Sequence, residues 1–119
     1  MDIPAEAALL RIYTEEARRD GPRPLYESVV LKAREAGLAG ATVLRGPMGY
    51  GQSARLHNAN ILDLSANLPL VIEIVDAEAK LRDFAASIAH LRDIGLVTLE
   101  KVEVLHYGHA ARRAAQAEM

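Results

Sequence analysis

The stretch 40-GATVLRGPMGYGQSARLHNANILDLSANLPLVIEIVD-76 decides the fold, because it holds two strands and a long irregular segment between them. Residues 41–45 predict a short strand, and 70–75 (LVIEIV) predict a more apolar one interrupted only by Glu73. The residues between these strands show no clear period and include Gly46, Gly49 and Gly51. Ordered loops longer than about 12–15 residues are usually functional or disordered. The segment therefore predicts a flexible arm that orders on a ligand or a partner.

Further strands and helices lie on both sides of this stretch. Upstream, 9–14 (LLRIYT) predict a strand, and a helix should begin near Pro24 and end before Gly37. Downstream, Asp76 is the expected cap of a second helix that should end at Gly95. The apolar stripe of this second helix comprises Leu81, Phe84, Ala85, Ile88 and Leu91.

The last predicted strand, 96–107, has an irregular apolar pattern. Val97 and Leu99 occupy odd positions, whereas Val102 and Val104 occupy even ones, which predicts a bulge or turn near Glu100. The element order is then β-α-β-β-α-β. This order indicates an α+β, ferredoxin-like sandwich, with a four-stranded antiparallel sheet and two helices on one face.

The predicted strands are apolar on both faces, although helices can cover only one face in this topology. The residues of opposite parity to the core are Leu9, Tyr13, Leu44, Val71, Val75, Leu105 and Tyr107. An exposed patch of that size is unusual on a monomer. We therefore expect a second subunit to cover the face.

Length, charge and composition exclude several classes of protein. A chain of 119 residues predicts one domain, and its net charge of −2 argues against sequence-independent binding of nucleic acid. No cysteine is present, which is compatible with a reducing compartment. No signal peptide and no apolar run of about 20 residues is recognisable. We expect a cytoplasmic protein without membrane insertion.

Several motifs suggest other chemistry but lack its context. Residues 49–54 (GYGQSA) match the dinucleotide fingerprint G-x-G-x-x-A, yet no amphipathic helix follows. The pair His106 and His109 lacks a third metal ligand at suitable spacing. A triad of His57, Asp63 and Ser65 would lie in the irregular segment, which holds geometry poorly. We therefore expect neither a catalytic nor a metal site, and no cofactor; a small enzyme remains the alternative.

Three long motifs carry a specific resemblance: 40–51 (GATVLRGPMGYG), 56–76 (LHNANILDLSANLPLVIEIVD) and 95–108 (GLVTLEKVEVLHYG). With the element order, they make the chain similar to the PII-like family of uncharacterised proteins (domain of unknown function one-ninety), related to nitrogen-regulatory PII signalling proteins. The resemblance implies one PII-like domain over 1–119, with a core of about 9–108 and a tail of 109–119. It also implies a homotrimer, and it identifies residues of about 47–66 as the T-loop, the mobile arm of PII proteins.

The resemblance also implies a function. PII proteins bind adenine nucleotides between subunits and act on target proteins, such as transporters or enzymes, through the T-loop. The expected ligand here is a small anionic metabolite, with an adenine nucleotide as one candidate. The stretch from Gly49 to Gln52 resembles the PII motif Gly-Phe-Gly-Arg-Gln without its arginine. The candidate ligand-binding residues are Arg45, Gly46, Gly49, Tyr50, Gly51, Gln52 and Arg55. A protein-docking module without a nucleotide is a second alternative.

Overall fold

The structure, a computed structural model, describes residues 3–51, 56–58, 67–91 and 94–108, with residues 57 and 58 described by their backbone alone. The described part contains eight strands and two helices. In chain order these are β1 (Glu6–Glu15), β2 (Arg19–Asp20), β3 (Arg23–Pro24), α1 (Leu25–Glu35), β4 (Thr42–Arg45), β5 (Met48–Gly49), β6 (His57–Asn58), β7 (Pro69–Asp76), α2 (Glu78–Ile88) and β8 (Leu96–Glu103).

The four long strands form one antiparallel sheet in the order β4-β7-β1-β8. The strands β2 and β3 form a small hairpin before α1, and β5 pairs with β6 beyond the end of β4. The central strands β1 and β7 are the least exposed, as expected for strands with neighbours on both sides. This arrangement confirms the predicted α+β, ferredoxin-like fold, and both connections that contain a helix join strands separated by a third.

The core lies between one face of the sheet and the two helices. Leu10 and Ile12 of β1 face the same side as Ile72 and Ile74 of β7, and all four are almost fully buried. The helical residues packed against them include Leu25, Val29 and Ala33 of α1 and Leu81, Phe84 and Ile88 of α2. Burying a side chain of this size contributes about 1.5–3 kcal/mol, so this layer supplies most of the hydrophobic stabilisation of the fold.

Local signals place α1 as the sequence predicts. Pro24 is its N-cap, where the missing N–H has no helical partner to lose. Beyond the helix, Gly37 has a φ of 78° and so takes the left-handed conformation that ends many helices. The N–H of Leu38 then donates to the carbonyl of Ala33, and Leu38 folds back into the core.

Three local predictions around α2 and β8 are wrong. The N-cap of α2 is Ala77 rather than Asp76, and the buried Asp76 carboxylate instead accepts N–H groups from Ala39 and Ala77. The helix ends at Ile88, well before Gly95. No bulge is present near Glu100, because β8 pairs with β1 in one continuous register from Leu96 to Glu103.

The sheet face opposite the helices has no covering element in the described part of the chain, and we call it the open face. Its apolar residues include Leu9, Tyr13, Leu44, Val71 and Val75, as the parity of β1, β4 and β7 predicts, and Leu96 of β8 joins them. The predicted Leu105 and Tyr107 do not belong to this face as strand residues, because β8 ends at Glu103. One row crosses the whole sheet from Leu44 through Val71 and Tyr13 to Leu96. Leu44 is 48% and Leu96 61% exposed at the two edges of this row.

Neither of the two described helices is long and apolar enough to span a bilayer.

Candidate functional site

A cleft of about 700 Å³ lies at the end of the sheet where β4 turns away into β5. Its floor is the open face, represented by Tyr13, Val71 and Leu96, and its wall is formed by residues 46 and 48–51. Met48 and Gly49 of this wall form β5, which pairs with β6. Side chains lining the cleft are mainly apolar or aromatic, and such concave surfaces with few polar groups are typical of small-molecule sites.

Four of the seven predicted ligand-binding residues line this cleft: Gly46, Gly49, Tyr50 and Gly51. Tyr50 is 72% exposed, so its ring is available to stack against a planar ligand. Gln52 and Arg55 lie outside the described residues. Arg45 is described, but it is not among the residues that line the cleft.

Gly46 and Gly49, the first two glycines of the wall, lack a side chain at positions that lie against Pro69. A Cβ atom added to Gly46 would lie 3.1 Å from the Cγ atom of Pro69, and one added to Gly49 would lie 3.3 Å from it. The chain after β4 therefore packs directly on the proline ring at the start of β7. The N–H of Gly46 donates to the Pro69 carbonyl at 2.8 Å. Because this donor is engaged, Gly46 serves the cleft as a close-packed backbone rather than as an anion ligand.

The two described arginines near the cleft, Arg45 and Arg18, have acidic partners. Arg45 donates from Nη2 to the Glu16 carboxylate at 2.9 Å. Arg18, which the sequence analysis did not single out, lines the cleft, and its Nε lies 3.4 Å from Glu15. An anion that reached either guanidinium would have to share it with a carboxylate or displace that carboxylate.

A close backbone contact between Gly95 and Tyr13 forms part of the floor of the cleft. Gly95, with a φ of 90°, crosses so near to Tyr13 that an added Cβ would lie 1.9 Å from the Tyr13 carbonyl oxygen. Both residues line the cleft. From the sequence, Gly95 was predicted only to end a helix. A glycine before a strand does not indicate that its backbone contacts Tyr13, which lies 82 positions earlier in the chain.

The centre of the open face carries an ionic cluster. Arg11 donates from Nε to Glu73 at 2.9 Å and from Nη1 to Glu100 at 2.5 Å. The hydrogen bond to Glu73 is the main reason that the pKa of Arg11 is raised above its ordinary value. We call these three residues the Arg11 cluster. Glu73, the charged residue that interrupts the apolar strand β7, therefore pairs with a basic side chain of the same chain.

The described residues contain no group of three or more His, Cys, Asp or Glu side chains placed to hold a metal ion. His109 of the His106 pair, and Asp63 and Ser65 of the suggested triad, lie outside the described residues. The triad's His57 is described by its backbone alone.

Comparison with known proteins identifies a family and several relatives of this chain. Residues 7–104 match the model of the DUF190 family, described as "Uncharacterized ACR, COG1993". A UPF0166 protein of Aquifex aeolicus is 40% identical over 98 residues, covering 82% of this chain and 92% of the relative. A second UPF0166 protein of that organism is 33% identical over 96 residues, covering 81% and 94%. UPF0166 protein MJ1524 of Methanocaldococcus jannaschii is 36% identical over 73 residues, covering 61% and 67%. The chain belongs to the DUF190 family.

Proposed function

We propose that the chain is a PII-like regulatory protein without enzymatic activity. In this proposal it is a homotrimer that binds a small anionic metabolite, such as an adenine nucleotide, in clefts between its subunits. It then modulates a partner protein through the T-loop. The observation that carries the proposal is the cleft itself, because its floor is the open face and its wall is the base of the predicted T-loop. A second subunit on the open face would complete such a cleft.

The lining of the cleft supports a ligand with a flat, weakly polar part. Tyr13 and Tyr50 offer aromatic surface, and Val71 and Leu96 offer aliphatic surface. A nucleobase has this chemistry, and stacking of a base on an aromatic side chain contributes about 1–3 kcal/mol. The charged part of the ligand would compete with Glu15 for Arg18 or with Glu16 for Arg45.

Calorimetry and thermal shift with ATP, ADP, AMP and cyclic di-AMP test this function. A ligand that binds only the folded protein raises its stability by about 2.7 kcal/mol at a concentration of one hundred times Kd. Tyr50→Ala should weaken nucleotide binding roughly ten- to a hundred-fold through lost stacking. Tyr107→Ala removes another exposed tyrosine that does not line the cleft, so it should leave the affinity unchanged.

Failure of all four nucleotides to bind below millimolar concentration would reject nucleotide sensing. Equal losses of affinity in the two tyrosine variants would reject the cleft as the site. The assembly is tested separately by light scattering at micromolar concentration, where a homogeneous monomer would reject the trimer.

A docking module without a nucleotide ligand is the second candidate, and one observation favours it. Met48, Tyr50 and Leu56 are large apolar residues of the predicted T-loop, and each is more than half exposed. Aromatic residues and methionine are enriched in the cores of protein interfaces. In this function the same surface would bind a partner protein directly, and the nucleotide titrations would show no binding.

A further inference from the structure

We propose that the Arg11 cluster joins neighbouring subunits, with Arg11 of one copy of the chain pairing with Glu100 of the next copy across their open faces. This inference rests on the proposed assembly, and it adds to that proposal the charged contact that selects a second copy of this chain as the partner.

The position of the cluster carries the first step. Arg11 lies on β1, one of the two central strands, directly between Glu73 on β7 and Thr98 on β8. Apolar rows flank it on both sides, with Tyr13 and Val71 in one direction and Leu9 in the other. Any subunit that covers the apolar rows must therefore also cover the charges.

The Arg11 cluster has a net charge that a covering subunit would have to accommodate. The cluster holds one guanidinium and two carboxylates, so it has one negative charge in excess. Removing an uncompensated charge from water costs several kcal/mol. A partner surface consequently has to offer hydrogen-bond donors to these carboxylates, and the guanidinium of Arg11 in a second copy can supply them.

The side chains of the Arg11 cluster can form further hydrogen bonds. Two N–H groups of Arg11 are engaged by Glu73 and Glu100, and a guanidinium has further donors in the same plane. Each carboxylate is engaged through one oxygen and retains acceptor capacity through the other. The cluster thus presents both donors and acceptors, which makes the surface complementary to a copy of itself.

Glu100 is the more suitable acceptor for a neighbouring copy. Its side chain is 55% exposed on the edge strand β8, whereas that of Glu73 is 31% exposed on a central strand. A contact from the centre of one face to the edge of the next is heterologous, and heterologous contacts close into rings when the rotation allows it. A trimer is one such ring.

Complementary charge reversals test the pairing. Arg11→Glu leaves three carboxylates at the centre of the face, and Glu100→Arg leaves two guanidinium groups and one carboxylate. Like charges would then meet across the interface, and each variant alone should associate at least about tenfold more weakly than the unaltered protein. The double variant Arg11→Glu/Glu100→Arg sets opposite charges against each other at every contact of a ring, so it should regain the assembled mass by native mass spectrometry. Mixed with the unaltered protein, it should form separate assemblies, because like charges would meet wherever the two kinds of chain are neighbours.

The control is the double variant Arg11→Glu/Glu35→Arg, since Glu35 is exposed on α1 and lies away from the open face. It has the same net charge as the first double variant but leaves like charges at the proposed contact, so it should not regain the assembly. Should Arg11→Glu fail to fold by circular dichroism, Glu100→Arg and Glu100→Gln are compared alone. Glu100→Arg should then weaken association about tenfold more than Glu100→Gln.

The outcomes separate the two proposals. An unaltered protein that remains monomeric rejects the trimer, and the pairing with it. An unaltered protein that assembles overturns the pairing, and leaves the assembly intact, in any of three cases: the single variants associate normally, the double variant Arg11→Glu/Glu100→Arg does not recover, or that double variant mixes freely with unaltered chains.

Discussion

Gly95→Ala should be among the most destabilising single-methyl additions in this chain. The added Cβ would lie 1.9 Å from the carbonyl oxygen of Tyr13, far inside van der Waals contact. The neighbouring atom belongs to the backbone of a central strand, so no flexible side chain can move aside. The start of β8 must therefore shift away from β1, at the position where Leu96 pairs with Tyr13.

Two costs combine in this substitution. Placing a residue with a Cβ at positive φ costs roughly 1–2 kcal/mol, and forcing extra volume into a packed contact costs about 1–3 kcal/mol. The expected loss is therefore about 2–5 kcal/mol. For a domain of about this size, each kcal/mol lowers Tm by roughly 4–8 °C, so the melting temperature should fall on the order of 10–30 °C.

Two other glycines separate these costs. Gly21 also has a positive φ, of 60°, but nothing lies within 4 Å of its added Cβ. Gly40 has neither a positive φ nor a close neighbour. In urea unfolding, Gly40→Ala should be neutral or stabilising by up to about 1 kcal/mol, and Gly21→Ala should cost about 1–2 kcal/mol. If Gly95→Ala costs no more than Gly21→Ala, the backbone contact with Tyr13 does not constrain the fold.

Two further predictions concern buried and surface carboxylates. Asp76→Asn should lower the free energy of unfolding by about 1–3 kcal/mol in urea denaturation. The two oxygens of the carboxylate accept hydrogen bonds from the N–H groups of Ala39 and Ala77, whereas the side-chain amide of asparagine has only one acceptor oxygen. An unchanged midpoint would contradict this role. The hydrogen bond from Arg82 holds the pKa of Glu78 below its ordinary value, so the associated stabilisation is present at neutral pH and lost as the pH falls through the lowered value. Arg82→Gln should raise that pKa in a carboxyl NMR titration, and an unmoved titration would show that Arg82 is not the cause.

The elements that follow from local chemistry were predictable from the sequence. Pro24 and Gly37 mark the two ends of α1, because the conformations of proline and glycine depend little on tertiary contacts. The alternation along β7 likewise separated the core residues Ile72 and Ile74 from the open face. Such signals are contained in a few adjacent residues, so they survive without knowledge of the fold.

The irregular pattern of β8 misled the prediction for a physical reason. Lys101 lies on the helix side of the sheet but remains exposed, and it is close enough to Glu78 at the start of α2 to influence that carboxyl. The helical layer thins out at this end of the edge strand, so a polar residue is tolerated on the core side. Val102 correspondingly lies on the open face. Along β8 the apolar residues thus move from one face of the sheet to the other, although the strand itself is regular. A prediction based only on the alternation of apolar residues interprets this change as a bulge.

The candidate site shows which part of a binding site a sequence can supply. Gly46, Gly49, Tyr50 and Gly51, which the resemblance to PII proteins singled out, do line the cleft, and their binding of a ligand stays a prediction. The side-chain charges were not predictable, since the partner of Arg45 is Glu16, which reaches it only through the turn after β1. Arg18 follows that same turn and lines the cleft beside Glu15. The turn between β1 and β2 therefore sets the charge beside the cleft, and a pattern confined to residues 40–76 carries no information about it.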